Sequence, residues 1–382
     1  MSAGQRQVVV AGHVCLDVIP TFKHPQSGGE EPDLRPGRLV HVGPAVRSTG
    51  GAVSNTGLAL HRLGTPVRLI GKIGQDLFGE EIVRLLQAQS RELADGMVRL
   101  PNEITSYSIV INPPGIDRTF LHCPGANDTF GAADVQDSSL QGACLFHFGY
   151  PPLMQRIREN NGAELVSLLR RVRSQGLTVS LDLCMVDPQS DSGRADWNTI
   201  LKGALPSVDF FCPSIDELMF MLERETYGQF DADGGFTPAR HITLPLLRRL
   251  AARCHEFGAG VVAIKLGDQG LYVHGSSDAE RMKSLGAAVA DNAAAWLGIE
   301  LYSPCFQANV VGTTGSGDCT IAGLLSALVR GETPQQIMQA AVATGAASVE
   351  AADAVSGVPS WSTLEKRIAS GWAQQPALLA IQ

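Results

Sequence analysis

The densest concentration of chemistry in the sequence is Val310-Val311-Gly312-Thr313-Thr314-Gly315-Ser316-Gly317-Asp318-Cys319, followed at once by the apolar run Ile321 to Leu328. Three glycines within six positions let the backbone turn sharply and approach a ligand closely, and Ile321, Leu324, Leu325 and Leu328 recur at the spacing of a buried helix face. The turn therefore opens a helix. N–H groups at a helix start are unpaired and carry partial positive charge, so the pattern predicts an anion site, phosphate above all. A P-loop places lysine after its last glycine, whereas here Asp318 stands there. A carboxylate beside a bound phosphoryl group suits a base that takes the proton of an attacking hydroxyl. Two readings stand level on this stretch. In one, a phosphoryl group passes to an alcohol, with Asp318 as base and the N–H groups of Gly315, Ser316 and Gly317 as the anion hole. In the other, the stretch is a Gly/Thr/Ser turn and Asp318 caps the helix.

Other polar residues fall where strands hand over to loops. Asp17 interrupts Val14-Cys15-Leu16-Asp17-Val18-Ile19, and a lone acid among apolar residues is costly to bury without a partner. It is either an exposed strand-end residue or a polar anchor for a ligand. Gly50-Gly51 precedes a helix with Ser54 and Asn55 on its first turns, a second place where glycine permits close approach. Ser214 reads as an N-cap, with Asp216 and Glu217 in the first turn behind it. The functional reading of those acids, at the carboxyl end of a strand, is to organise Mg²⁺ through water. Lys265 either contacts a nucleotide phosphate or ends its strand in water.

The elements that must position these residues alternate. Short buried strands are predicted at Val8 to Ala11, Val67 to Ile70, Cys144 to Phe148, Leu177 to Leu181, Asp209 to Cys212 and Val261 to Lys265. Helices are predicted after Gly51 with Gly64 as C-cap, over Phe78 to Gln89, Gly162 to Gln175, Leu218 to Leu222 and Gln335 to Val349. This rhythm predicts an α/β fold with a doubly wound, mostly parallel sheet flanked by helices. Gly71 to Asp76 reads as a polar loop, and Pro20 to Arg38 as a long one. Thr105 to Ile111 and Arg118 to His122 form a hairpin which, with Leu39 to Val42 and Met97 to Leu100, is expected to build a small separate β-sheet. Tyr227 to His241 reads as a polar surface insertion, and Ala287 to Glu300 shows no clear stripe.

At 382 residues with 44% hydrophobic content, the chain has ample length for a buried core, and no repeat or flexible linker divides it. One domain spanning 1–382 is expected. A net charge of −8, with no basic run beyond Arg170-Arg171 and Arg248-Arg249, argues against a nucleic-acid surface. The eight cysteines lack CxxC or finger spacing and read as reduced thiols of a cytoplasmic protein. The nine histidines form no HExxH or HxxxH pair. Gly4-Gln5-Arg6-Gln7 leads straight into a strand with no signal-peptide pattern, and no apolar run is long enough to cross a membrane.

From Val8 to about Pro359 the sequence resembles the ribokinase-like, or PfkB, carbohydrate kinases. Thr313-Thr314-Gly315-Ser316-Gly317-Asp318 is similar to that family's D-T-x-G-A-G-D signature, and Gly50-Gly51-Ala52 with Asn55 to its G-G-x-x-x-N segment. Gly71-Lys72-Ile73-Gly74-Gln75-Asp76 with Gly79, Pro124-Gly125-Ala126-Asn127, and Lys265-Leu266-Gly267 with Gly270 follow in the family's order. The resemblance implies a ribokinase-like domain with a small β-lid, formed from about 14–48 and 97–123, over a sugar. It implies ATP and Mg²⁺, Asp318 as base, and Asp17, Gly50, Gly51 and Asn55 on the sugar hydroxyls. Lys265, Gly267, Gly270 and Ser214 would border the nucleotide, and Glu217 would lie near the metal. A homodimer through the lid is expected, because a hydrophobic lid face often pairs between protomers. Three positions depart from the pattern: Gly312 replaces an Asp implicated in monovalent-cation binding, Ser214 replaces Asn, and Lys265 replaces Thr or Ser. A nucleoside kinase of the same fold, with Phe22, Tyr107 or Phe120 clamping the base, and a catalytically weak sugar sensor are the alternatives.

Overall fold

A computed structural model describes residues 6–22, 36–113, 119–232 and 241–379. Most of the loop expected from Pro20 to Arg38, of the turn-rich connector expected at 112–117 and of the insertion expected at 227–241 lies outside the described residues. Thirteen strands form two sheets among the described residues. In chain order they are β1 (Gln7–Gly12), β2 (Cys15–Pro20), β3 (Ala45–Gly50), β4 (Val67–Gly74), β5 (Met97–Leu100), β6 (Tyr107–Ile111), β7 (Thr119–Cys123), β8 (Ala143–Gly149), β9 (Thr178–Leu181), β10 (Phe210–Phe211), β11 (Val261–Lys265), β12 (Leu271–Gly275) and β13 (Glu300–Ser303). The large sheet runs β13-β12-β11-β10-β9-β8-β1-β4-β5 and is parallel from β11 to β5. Only β12 and β13 are antiparallel additions at one edge.

Continuous apolar strands belong in such a sheet because both faces are covered. In β1, Val8 and Val10 enter one core while Val9 and Ala11 enter the other, all four fully buried. The expected doubly wound architecture is present. The second sheet runs β3-β2-β6-β7, with β2 and β6 parallel and both outer pairs antiparallel. It is the small lid, and β6 with β7 is the expected hairpin.

Three expectations about these elements need correction. Met97–Leu100 does not join the lid; it pairs in parallel with β4, Gly71 opposite Met97. The helix Leu77–Gln89 is the crossover that brings it there, as a parallel neighbour requires. Leu39 to Val42 forms no strand: Leu39 is 80% exposed and Gly43-Pro44 follows, so β3 starts only at Ala45. Gly71 to Gly74 is strand rather than loop. Its glycines mark close packing, since a Cβ at Gly74 would fall 2.3 Å from the Glu103 carbonyl oxygen. Lys72 between them is buried, donating to the Thr129 carbonyl at 3.0 Å beside Glu103 and Asp134.

The stretch Ala287 to Glu300 packs through Trp296, fully buried edge-on against Phe210, before entering β13. The helix expected from Gly162 begins earlier, at Gln155, with a break over Glu159 to Gly162. No helix of the described residues is long and apolar enough to cross a membrane.

Candidate active site

The parallel strands deliver their carboxyl ends to one edge of the large sheet, the usual ligand side of an open α/β fold. His13 follows β1, Tyr150 follows β8, Asp182 follows β9, Ser214 follows β10, and Lys265 ends β11. Gly12 and Gly149 are paired neighbours there. Asn127 fixes the corner into the lid, accepting from Val14 N–H at 3.2 Å and donating to its carbonyl at 3.0 Å.

The helix Ser316–Arg330 starts at this edge, and Gly315 is its N-cap at φ 70°, ψ 5°. That left-handed turn suits glycine, and a Cβ would fall 2.6 Å from that of Ala354. No side chain caps the helix. Asp318, 2% exposed in the first turn, instead reaches across to two other elements. Its Oδ2 accepts from Asn55 Nδ2 at 2.9 Å and from the Tyr150 hydroxyl at 2.8 Å, while Oδ1 stands 3.5 Å from Thr56 Oγ1. The capping role weighed for Asp318 is therefore not what the carboxylate does. Burial raises it above the ordinary carboxylate range, against the hydrogen bond from Asn55, the charge of Lys265 and the hydrogen bond from Tyr150. A carboxylate so raised is a better proton acceptor.

A cavity of about 1040 Å³ opens between the lid and the sheet edge. Of the residues expected at the substrate, Asp17, Gly51 and Asn55 line it, as does Gly315 from the glycine-rich turn. Gly50 does not line it but lies against Asp17, where a Cβ would fall 2.3 Å from Oδ2. Asp17 sits on β2 between Ser48 and Ser108, with Cys15 Sγ 3.4 Å from its Oδ1. Burial pushes its carboxyl up to about 6, opposed by the Cys15 and Ser108 hydrogen bonds.

A second group gathers behind the cavity. Ser214 and Lys265 are bridged neighbours, and Lys265 Nζ donates to Asp182 Oδ1 at 2.6 Å. Lys265 also passes 3.6–3.8 Å from where a Cβ of Gly317 would stand, so its charge lies beside the glycine-rich turn. Ser214 and Glu217 form a capping box: Ser214 N–H donates to Glu217 Oε2 at 2.6 Å, and Glu217 N–H to Ser214 Oγ at 3.2 Å. The capping reading of these two residues is thus realised, with one Glu217 oxygen engaged by it. Gly267 opens the turn Gly267–Gln269, and Gly270 closes it at φ 106° against the Ser303 carbonyl. None of Ser214, Glu217, Lys265, Gly267 or Gly270 lines the cavity.

The model of the pfkB family carbohydrate kinases matches residues 5–361. The chain belongs to this family. As a pfkB carbohydrate kinase it is similar to an uncharacterised sugar kinase of Archaeoglobus fulgidus, 24% identical over 302 residues, which are 79% of this chain and 98% of that one. Among solved structures it resembles the ribokinase of Arabidopsis thaliana complexed with ribose and ATP, at 19% identity and TM-score 0.69, covering 95% of this chain and 98% of the other. A putative ribokinase II from E. coli in complex with ATP and Mg²⁺ matches at 19% identity and TM-score 0.68, covering 96% and 99%. At such identities the likeness carries the fold.

Four residues of this pfkB kinase escaped sequence reasoning. His13, Ser108, His122 and Tyr150 all line the cavity. His13 and His122 face each other at 3.4 Å between Nε2 atoms, and Ser108 Oγ lies 3.0 Å from His122 Nδ1. Burial drives His13 down to about 3, so its ring is neutral. Position beside Gly12 and Gly149, at two strand ends, was the available signal for His13 and Tyr150; nothing in the alternation of β6 and β7 marked the other two.

Proposed function

We propose that this kinase transfers the γ-phosphoryl group of ATP to a hydroxyl of a small uncharged sugar, with Asp318 as the base. The observation that carries the reading is the Asp318 carboxylate, buried in the first turn of a glycine-opened helix and bound to two residues, Asn55 and Tyr150, that line the cavity. The acceptor O–H gives its proton to Asp318. Its oxygen forms a bond to the γ-phosphorus, and the bond from that phosphorus to the bridging oxygen breaks to leave ADP. The N–H groups of Gly315 and Gly317, joined by that of Ser316 once it leaves the Thr313 carbonyl it now meets at 3.3 Å, stabilise the moving charge at the positive end of the helix. Lys265 supplies a fixed cation beside them. Asp17, Gly50, Gly51 and Asn55 orient the sugar, with Gly267, Gly270 and Ser214 bordering the nucleotide.

Mg²⁺ fits the donors present. Asp182 Oδ2 is buried with no hydrogen-bond partner among the described residues, and Glu217 retains an oxygen outside its cap. Hard-cation sites of this class use one or two carboxylates together with substrate phosphates, and the ion would neutralise charge on the nucleotide.

The lining favours a neutral polyol. Asp17, Asp128, Asp187 and Asp191 face the cavity with Arg158, so an anionic sugar would meet an excess of acids. Of the three aromatic residues weighed as a nucleobase clamp, Phe120 lines the cavity, whereas Tyr107 packs edge-on against Phe78. Steady-state assays with ATP against neutral sugars, sugar acids and nucleosides test this: turnover is expected with a neutral sugar, and Asp318→Asn is expected to lower kcat by about 10²–10⁴-fold with the melting temperature preserved. Preference for a nucleoside would replace the substrate assignment. An unchanged kcat in Asp318→Asn would reject the base.

A further inference from the structure

Tyr150 is the only aromatic residue among the described residues with a left-handed backbone, at φ 64° and ψ 42°. For a bulky side chain that conformation costs about 1–3 kcal/mol, and it persists only where the surroundings enforce it. Here they do: Gly149 precedes it at the end of β8, Pro151-Pro152 follow, and Leu153 N–H donates to the Tyr150 carbonyl at 3.0 Å. The unusual backbone directs the phenol to the Asp318 carboxylate. Its hydroxyl donates to Oδ2 at 2.8 Å, the same oxygen that Asn55 holds at 2.9 Å. Among the described residues Oδ1 has only the 3.5 Å contact with Thr56, which is fully buried and does not line the cavity.

We propose that Tyr150 is a positioning residue for phosphoryl transfer: with Asn55 it clamps Oδ2 of Asp318 and so fixes the orientation of the carboxylate that takes the acceptor's proton. The inference rests on the kinase reading of the site. A carboxylate free to rotate about its terminal torsion would offer its lone pairs in many directions; two donors on one oxygen hold a single orientation. Tyr150 is suited to donate throughout. Burial, and next the neighbouring Asp318 charge, push its hydroxyl well up, so it stays protonated wherever the carboxylate titrates. Its hydrogen bond also favours the ionised carboxylate, partly offsetting the rise that burial imposes.

The other groups facing Asp318 are Asn55 and Thr56 on the helix Ala52–Arg62, Lys265 on β11 and Glu217 on the helix Ile215–Leu222. Asp182 and Cys184 beyond β9, and Cys319 on its own helix, also feel its charge. All of these remain in a Tyr150→Phe variant, which keeps the ring and removes only the hydroxyl.

In that variant the acid limb of the kcat/KM profile is expected to move up by roughly half to one pH unit, with kcat down about tenfold and KM for ATP unchanged. The Asp318 carboxylate band in difference infrared spectra, assigned with Asp318→Asn, should titrate higher by the same amount. A fluorinated tyrosine at position 150, a stronger donor, should move both readouts the other way, and it decides the matter if Tyr150→Phe does not fold. Unmoved titration in Tyr150→Phe, or in the fluorinated protein, overturns the proposal. So does a Tyr150→Phe enzyme that matches wild type while Tyr150→Gly is impaired, because the residue would then act only through its backbone. If wild type phosphorylates no alcohol, the kinase reading falls, yet the infrared titration still accepts or rejects the Tyr150–Asp318 clamp.

Discussion

Lys265 Nζ stands 2.6 Å from Asp182 Oδ1, and the same lysine side chain passes beside Gly317 at the start of the helix that carries Asp318. Burial opposes charge on both partners. The charges of Asp182 and Glu217 nevertheless lift Lys265 above the ordinary lysine range, so it remains an ammonium ion. Asp182 is pushed up by burial against the pull of Lys265, with repulsion from Glu217 and Asp318 added. The pair thus fixes a cation beside the glycine-rich turn.

Lys265→Met is expected to destabilise the protein by about 3–5 kcal/mol, because it leaves Asp182 buried without its partner. Adding Asp182→Asn removes that stranded charge and should restore most of the stability in urea unfolding. If Lys265 acts on phosphate, the double variant still shows a raised KM for ATP or a lowered kcat. Full recovery of both constants would reduce the pair to a structural element.

Gly315 and Gly317 differ in what a methyl group would meet. At Gly315 it faces a left-handed backbone and the Ala354 side chain at 2.6 Å; at Gly317 its nearest neighbour is the flexible Lys265 chain at 3.6 Å. Gly315→Ala should therefore lower stability by about 1–3 kcal/mol. Gly317→Ala should melt close to wild type while lowering kcat by roughly tenfold or more, since a methyl group there narrows the approach of phosphate to the N–H groups. Thermal melting with steady-state kinetics checks both, and a fully active Gly317→Ala would remove phosphate from the turn.

The contrast reflects what is legible in a sequence. The strand-helix rhythm, the helix start after Gly315 and the buried face behind it follow from local spacing, and the structure reproduces them. Met97–Leu100 did not follow from spacing because its four residues suit either sheet; the crossover helix decides which. The glycines of Gly71 to Gly74 signal close packing as readily as a turn, and only the neighbours tell the two apart. Asp182, His13 and Tyr150 meet their partners across 83, 109 and 168 residues, and no periodicity records such contacts.

Asp17 carries a cost to the fold that a substrate-binding group would explain. Its folded carboxyl titrates near 6, above the usual unfolded value, so the native state holds the proton longer than the unfolded chain. Stability is accordingly expected to fall as pH rises from about 4 to about 6, by on the order of 2 kcal/mol, and to stay lower above that range. Asp17→Asn should flatten this slope and raise the melting temperature at neutral pH, while increasing the sugar KM at least about tenfold. A variant that gains stability with an unchanged KM would take Asp17 out of the substrate site.

We propose that the lid takes a second copy of the chain. Directly paired residues share a face of a sheet, so Asp17, Ser48 and Ser108 lie on one side, with His122 opposite Ser108. Residues two positions along return to that side, which adds Val46 and Phe120, 56% and 49% exposed. Half-exposed apolar residues on the cavity side of a four-stranded lid are what a partner's lid would cover, and burying them would also shield the acceptor site from water. Light scattering is expected to show a dimer. Val46→Asp should shift it toward monomer and raise the sugar KM, leaving the melting temperature of the monomer near that of wild type. A wild-type monomer at assay concentration, with full activity, would show that one copy closes its own site.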